Sequence, residues 1–184
     1  IRAGVDPKLV AELGPKLRVK NDIYNLIFRQ REDDIFELQP DQEGDMWELD
    51  APIVHLVHDS IVAYSQWKSR KEGVNYELPS RHQLIKAGRG ADLRAYVWGD
   101  HFDYCWANAR HSKSKRGPST RSEFPTDVSP YGVRDITGNA GDSLSDPCEE
   151  DSYYGFAGSW TNSGLACRLM RRSKLVKANS HSGF

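Results

Sequence analysis

The alternation of apolar and polar positions predicts two helices in the middle of the chain. A short β-branched strand is expected at 53–57, followed by a helix from Ser60 to about Lys71 that Asp59 caps and Gly73 closes. Ile61, Tyr64 and Trp67 give this helix an apolar side.

The second helix has a clear start signal. Ser80 and Gln83 have the spacing of a capping box, in which each side chain bonds the other's backbone N–H. The pattern predicts a short helix from this point through Leu84, Ile85 and Ala87, ending at Gly88.

The regions on either side of the helices give weaker signals. In residues 1–50 the pattern favours a helix at 7–13, a strand at 25–30 and a turn at Asp33-Asp34, and we interpret this region as a lead-in packed on the main domain. From Gly88 to Asp151 the helix and strand signals nearly vanish, which is typical of a loop-rich fold whose loops pack through their own aromatic residues. The candidates for that packing are Trp98, Trp106, Tyr131 and Trp160.

Composition limits the classes of function. The chain has 184 residues and a formal net charge of −1, which suits one domain (1–184) and argues against a general nucleic-acid binder. No apolar run approaches the length of a membrane span, so we expect no membrane insertion. Cys105, Cys148 and Cys167 form no zinc or disulfide framework; buried thiols are the commoner outcome, and one disulfide stays open as an alternative.

The end of the chain differs from the rest in charge and pattern. From Ser152 onward there is no Asp or Glu, but there are five Lys or Arg residues. Neither a helical nor a strand period fits the run after Trp160, as is typical of a displayed surface.

Several motifs in order resemble a known family. They are Glu77-Leu-Pro-Ser-Arg-His-Gln-Leu-Ile-Lys-Ala-Gly-Arg-Gly90, Tyr96-Val-Trp-Gly-Asp100, Ser129-Pro-Tyr-Gly-Val-Arg-Asp-Ile-Thr-Gly-Asn139, Gly158-Ser-Trp160 and the terminal Gly183-Phe184. Together they resemble the formylglycine-generating-enzyme (sulfatase-modifying-factor) type of C-type lectin fold, from about Ala51 to Phe184. The resemblance implies an α+β domain with two helices, a small antiparallel sheet and long loops.

The oxidase activity of that family depends on two thiols, five positions apart, that bind a soft copper ion. Alignment on Gly158-Ser159-Trp160 places Asn162 at the first thiol position and Cys167 at the second. One thiol cannot replace two, so we do not expect an enzyme. His55 and His58 make the only metal-like histidine spacing, and we interpret them as packed core or surface residues.

The resemblance also implies a calcium site. Members of the family bind calcium in the loop that corresponds to 135–142, and hard Ca²⁺ prefers carboxylate and carbonyl oxygens. The ligands carried over are Asp135 and Asp142 by side chain, and Gly138 and Ala140 by carbonyl. The alternative is a turn in which Asp142 bonds backbone amides. A structural calcium ion is thus an open expectation, and no other cofactor is expected.

A second branch of the family fits the chain's end better. Variable proteins of diversity-generating retroelements have this fold and end in a segment of the form Gly-Ser-Trp-x-Asn…Cys-Arg…Gly-Phe, which residues 153–184 resemble. The expected framework is Gly158, Ser159, Trp160, Asn162, Cys167, Gly183 and Phe184. The expected displayed, ligand-binding positions are Phe156, Thr161, Ser163, Leu165, Leu169, Met170, Arg172, Lys174, Leu175, Lys177 and His181.

The resulting hypothesis is a ligand-binding protein with a hypervariable surface and no chemistry of its own. Because the segment carries positive charge only, the expected ligand is a protein with an acidic surface. The alternatives are an accessory lectin-like domain and, in last place, an oxidase. The location stays open, with the cell surface or a virion as candidates.

Overall fold

The structure is a computed structural model, and it describes residues 16–18, 24–26, 28–33, 35–40, 44–121, 123–146 and 152–176. Four short strands come first: β1 (Lys16–Arg18), β2 (Tyr24–Leu26), β3 (Phe28–Gln30) and β4 (Phe36–Leu38). They pair as two antiparallel hairpins, β1 with β2 and β3 with β4. The strand predicted at 25–30 is therefore divided between two hairpins, and the helix predicted at 7–13 lies outside the described residues.

Helix α1 (His58–Glu72) confirms the first predicted helix but not its details. Its N-cap is Val57, which has no side-chain cap, so the prediction of Asp59 as the cap is wrong; Asp59 lies in the first turn. Gly73 ends the helix in the left-handed conformation, as predicted. No strand forms at 53–57, because His55 has a φ of 59° and breaks the extended backbone.

The apolar side of α1 does not face the core. Tyr64 and Trp67 are 57% and 43% exposed, and their rings contact each other at 5.6 Å between centroids. The ammonium group of Lys71 lies 4.8 Å from the Trp67 ring centroid. These aromatic side chains therefore pack locally on the helix surface instead of entering the core.

Helix α2 (Arg81–Arg89) starts with the predicted capping box, in which Ser80 and Gln83 exchange hydrogen bonds. It runs one residue past its expected end at Gly88, and Gly90 is its C-cap. Gly88 is needed for packing, because a Cβ atom there would lie 2.9 Å from Cδ2 of Leu169. The helix thereby presses directly on the C-terminal segment.

The main sheet has the order β5-β6-β7 and is antiparallel. Its strands are β5 (Asp142–Ser143), β6 (Ser152–Phe156) and β7 (Arg172–Val176), with Phe156 opposite Arg172 and Ser152 opposite Val176. The sheet's central strand, β6, contributes Phe156 to a core cluster whose other members are Val97, Ile136, Leu144, Ala157 and Leu169.

Aromatic rings hold the loops together. The Trp98 ring contacts those of Tyr96, Phe102 and Trp106 at centroid distances of 5.6, 5.9 and 5.7 Å, which confirms the expected packing for Trp98 and Trp106. Trp160 makes an edge contact with Trp47 at a centroid distance of 6.4 Å, so Trp47 touches the C-terminal segment. Tyr131 is 58% exposed and takes no part in this packing.

Candidate ligand-binding surface

The C-terminal segment begins with a buried, hydrogen-bonded framework. Ser159 and Trp160 are 0% and 6% exposed, and the Trp160 N–H donates to the Asn139 carbonyl at 2.9 Å. The Asn162 side-chain oxygen accepts from the Ser159 N–H at 3.0 Å and from its hydroxyl at 3.1 Å. Asn162 therefore closes a tight turn, which gives a structural reason for an amide at this position.

Gly158 and Cys167 form the closest packing contact of this framework. A Cβ atom on Gly158 would lie 2.5 Å from the Cys167 sulfur and 2.9 Å from its Cα atom. Cys167 is fully buried and free, and burial raises the pKa of its thiol to about 12. The side chain fills space and stays protonated at neutral pH. Cys105 is also free but exposed, and Cys148 lies outside the described residues.

Several predicted display positions are at the surface. Leu165 and Met170 are 68% and 47% exposed, Ser163 and Lys174 are exposed, and Thr161 is half-buried. Leu165 projects from a 3₁₀ helix (Gly164–Cys167) whose residues Gly164, Ala166 and Cys167 are buried. In this stretch, buried and exposed residues follow one another within a few positions.

Two predicted display positions are wrong with respect to exposure. Phe156 and Leu169 are both 0% exposed and belong to the main core cluster. Phe156 lies in the central strand of the sheet, and Leu169 packs on Gly88 while its N–H donates to the Ala95 carbonyl at 2.9 Å. Neither side chain can meet a ligand in this conformation.

Other positions remain predictions. The structure describes the backbone of Arg172 and Leu175 in β7 but not their side chains, and Lys177, His181, Gly183 and Phe184 lie outside the described residues. The sequence interpretation also missed two exposed residues, Arg168 and Arg171. Their positive charge, on either side of buried Leu169, was the available signal.

A loop outside the segment supports its first exposed turn. Arg110 donates from Nε to the Thr161 carbonyl at 2.8 Å, and its backbone N–H donates to the Asn162 carbonyl at 2.9 Å. Phe102 lies directly against Gly164, where a Cβ atom would come within 2.4 Å of the ring. The exposed positions at 161–165 therefore lie on a backbone that contacts with Arg110 and Phe102 hold in place.

The loop proposed for calcium is built around an asparagine network. Asn139 accepts from the Ser119 N–H at 2.9 Å and from the Asn108 amide at 3.2 Å, and it donates to the Ser119 carbonyl at 3.0 Å. Asp135 is half-buried, with a φ of 56°, and Asp142 is exposed at the start of β5. Among the described residues no three His, Cys, Asp or Glu side chains converge as a metal-binding group. Carbonyl ligation by Gly138 and Ala140 stays a prediction.

One buried carboxyl lies beneath the segment. Asp127 is 1% exposed, and its Oδ1 accepts the Thr137 N–H at 3.2 Å. Its other oxygen and the Thr137 hydroxyl have no hydrogen-bond partner among the described residues. Burial, assisted by nearby Asp135, raises the pKa of Asp127 to about 7.

His55 and His58 pack as aromatic residues. The His55 ring lies 5.6 Å from the Trp47 centroid, and the His58 ring stacks on Tyr153 at 4.8 Å. This agrees with their interpretation as packed residues. In the part of the chain that the structure describes, no helix is long and apolar enough to cross a membrane.

The mixed α+β architecture, with two helices, a small antiparallel sheet and aromatic-packed loops, defines a C-type lectin fold of the formylglycine-generating-enzyme type. A family model described as a sulfatase-modifying factor enzyme 1-like domain matches residues 29–184, and the chain belongs to this family. The match starts earlier than the resemblance found in the sequence, which began at about Ala51. None of the curated proteins matches the sequence.

Three similar solved structures have little sequence identity to the chain. PvdO from Pseudomonas aeruginosa is similar over 94% of this chain and 69% of its own, with 14% identity and a TM-score of 0.71. Treponema denticola variable protein 1 covers 79% of this chain and 74% of its own, with 13% identity and a TM-score of 0.64. CarF covers 76% of this chain and 69% of its own, with 14% identity and a TM-score of 0.62. These likenesses establish the fold.

Proposed function

We propose that the protein binds a ligand through the exposed positions of its C-terminal segment, and that these positions are diversified while the buried ones are kept. The observation that carries the proposal is the mixture of the two classes within one short stretch. Ser159 and Cys167 are 0% exposed, whereas Leu165 between them is 68% exposed. A substitution at an exposed position typically costs less than about 0.5 kcal/mol, so such positions tolerate variation.

Two further observations support binding over catalysis. The thiol pair of the oxidases is incomplete, because Asn162 occupies one position with its side chain bonded to Ser159. The remaining thiol, Cys167, is fully buried and packs against Gly158, and one thiol cannot supply the two sulfur ligands that the copper ion of the oxidases requires. The fold shared with Treponema denticola variable protein 1 adds support for a non-catalytic scaffold.

The proposed ligand is a protein with an acidic surface. Residues from Ser152 onward include no acid, and Arg168, Arg171 and Lys174 are exposed. Leu165 and Met170 supply apolar area beside these charges. Arginine with an apolar neighbour is a frequent source of binding energy at protein interfaces.

A selection experiment tests the proposal. The protein is immobilised and panned with a phage-displayed random peptide library, and the selected peptides are measured against single alanine variants. We expect binding to fall when Leu165, Met170 or Lys174 is replaced and to stay unchanged in the matched control Arg70→Ala, since Arg70 is exposed on α1. If the selected peptides bind all three segment variants as tightly as the wild type, the proposed function is contradicted.

A further inference from the structure

Two arginines of α2, outside the displayed segment, converge on Met170. Arg81 donates from Nη2 to the Met170 carbonyl at 2.8 Å, and Arg89 donates from Nη1 to the Met170 sulfur at 3.0 Å. Met170 itself is 47% exposed. Both guanidinium groups therefore lie at the edge of the exposed surface, one on each polar atom of the same residue.

The hydrogen bonding of these two cations is incomplete. Arg89 is 9% exposed, and its Nε atom is buried without a partner among the described residues. Arg81 Nε is also buried and has no described partner. A thioether sulfur is a weak acceptor, so the bond to Met170 satisfies little of the Arg89 charge. A buried guanidinium ordinarily has an anionic partner, because removing its charge from water is costly.

The nearby carboxylates do not fill this role. Asp92 is close enough that Arg89 contributes to lowering the Asp92 pKa to about 2, but the main cause is Arg94, which bonds both of its oxygens. The Asp146 carboxylate accepts the backbone N–H of Arg81. Among the described residues no carboxylate forms an ion pair with either guanidinium group.

We infer that Arg81 and Arg89 form a fixed receptor for a carboxylate, with Met170 as its partial cover. A carboxylate has two oxygens that can accept from the terminal Nη–H groups beside Met170, and these charge-assisted bonds would compensate two cations whose buried Nε atoms have no described partner. The carboxylate belongs to an Asp or Glu on the protein ligand, because the exposed Met170 side chain offers an apolar contact beside the charge. This last step rests on the proposed function; the receptor itself rests on the geometry alone.

Nuclear magnetic resonance of the arginine Nε–H groups tests the inference. Because both Nε atoms are buried, their protons exchange slowly enough to be observed, and Arg81→Lys and Arg89→Lys variants assign them. The protein is titrated with N-acetyl-glutamate N-methylamide, its glutamine counterpart and inorganic phosphate at constant ionic strength. We expect the Arg89 signal to shift saturably with the glutamate compound and not with the glutamine compound.

Variants provide the second readout. Arg81→Gln should weaken binding of the glutamate compound by about tenfold or more, and Met170→Ala should strengthen it by uncovering Arg89. Arg70→Gln, on α1, is the matched control and should change nothing. Arg81→Gln keeps Arg89 in place, so the test survives if an Arg89 variant fails to fold.

Three results would overturn the inference. They are no saturable shift with the glutamate compound, an equal shift with the glutamine compound, or saturation by phosphate alone, which would mark a free-anion site. The outcome is separable from that of the peptide selection. If the glutamate compound binds saturably but the selected peptides bind independently of the segment residues, the proposed function is wrong and the carboxylate receptor is still supported.

Discussion

Strand β6 and the turn-rich stretch at 157–171 are adjacent in sequence but expose their side chains differently. In β6 four of the five residues are buried, because it is the central strand of the sheet. After Asn162, exposed residues such as Leu165 alternate with buried ones such as Cys167 every one or two positions. A central strand with both faces buried does not tolerate substitution of its side chains. A turn whose backbone is held by its own hydrogen bonds tolerates substitution of its exposed side chains.

The largest expected contrast is between one residue of each region. Phe156→Ala should lower the free energy of unfolding by about 3–5 kcal/mol, because it leaves a cavity in the core. Leu165→Ala should change it by less than about 0.5 kcal/mol, because that side chain is 68% exposed. Chemical denaturation of both variants measures the difference. Similar losses of unfolding free energy in the two variants would show that the two regions do not differ in their tolerance of substitution.

The carboxyl of Asp127 should make the stability of the framework depend on pH. Its folded-state pKa of about 7 lies above the ordinary 3.8, so the native state binds the proton more tightly. The stabilisation is present below about pH 4 and is lost as pH rises through 7, by up to about 4 kcal/mol at roughly 1.4 kcal/mol per pKa unit.

The Asp127→Asn variant isolates this contribution, because an amide of the same shape cannot ionise. We expect its free energy of unfolding to fall less than that of the wild type between pH 4 and pH 8. Asp135, whose pKa is raised to about 6 mainly by burial, titrates in both proteins, so the difference between the two curves reports Asp127 together with its coupling to Asp135. Parallel curves for the two proteins would show that Asp127 does not carry the effect.

Gly158→Ala tests the closest contact beneath the exposed turn. The new Cβ atom would lie 2.5 Å from the Cys167 sulfur, and such overpacking typically costs about 1–3 kcal/mol. Adding Cys167→Ala should recover part of the loss only, since the Cα atom of residue 167 is 2.9 Å away and remains. Thermal and urea unfolding of the single and double variants measure this, and an undiminished stability in Gly158→Ala would refute the tight framework.

The smallest effect is expected at the exposed cations. Arg168→Ala, Arg171→Ala and Lys174→Ala should each change the free energy of unfolding by less than about 0.5 kcal/mol. Combined in one protein, the three substitutions should weaken the binding of selected acidic peptides and leave the melting temperature nearly unchanged. A large drop in melting temperature would mean that these side chains serve the fold and not display.

The fold was predictable because its motifs are local. The capping box at Ser80 and the aromatic loop residue Trp98 behave as their sequence context indicates. The errors arise where tertiary contacts override the local pattern. Leu169 lies between the exposed residues Arg168 and Met170, yet it is buried against Gly88. Phe156 is buried because it lies in the central strand of the sheet. Tyr64 and Trp67 follow a helical spacing, but they pack on each other at the surface.

The candidate surface was predictable only in part, for a similar reason. Exposure in a turn depends on which backbone groups it bonds, such as the Asn139 carbonyl that holds Trp160, and no periodicity encodes that choice. The two arginines that contact Met170 lie 89 and 81 residues earlier in the chain. No local pattern around Met170 could have indicated them.

The most direct test of display is a comparison of the DNA that encodes residues 153–184 with the DNA around it. We predict a near-copy of this segment close to a reverse transcriptase gene, differing from it only at adenines of the copy. The differences should change the codons of exposed residues such as Ser163, Leu165, Met170 and Lys174, and should spare those of Phe156 and Cys167. The absence of such a copy, or differences concentrated in the buried codons, would contradict the account.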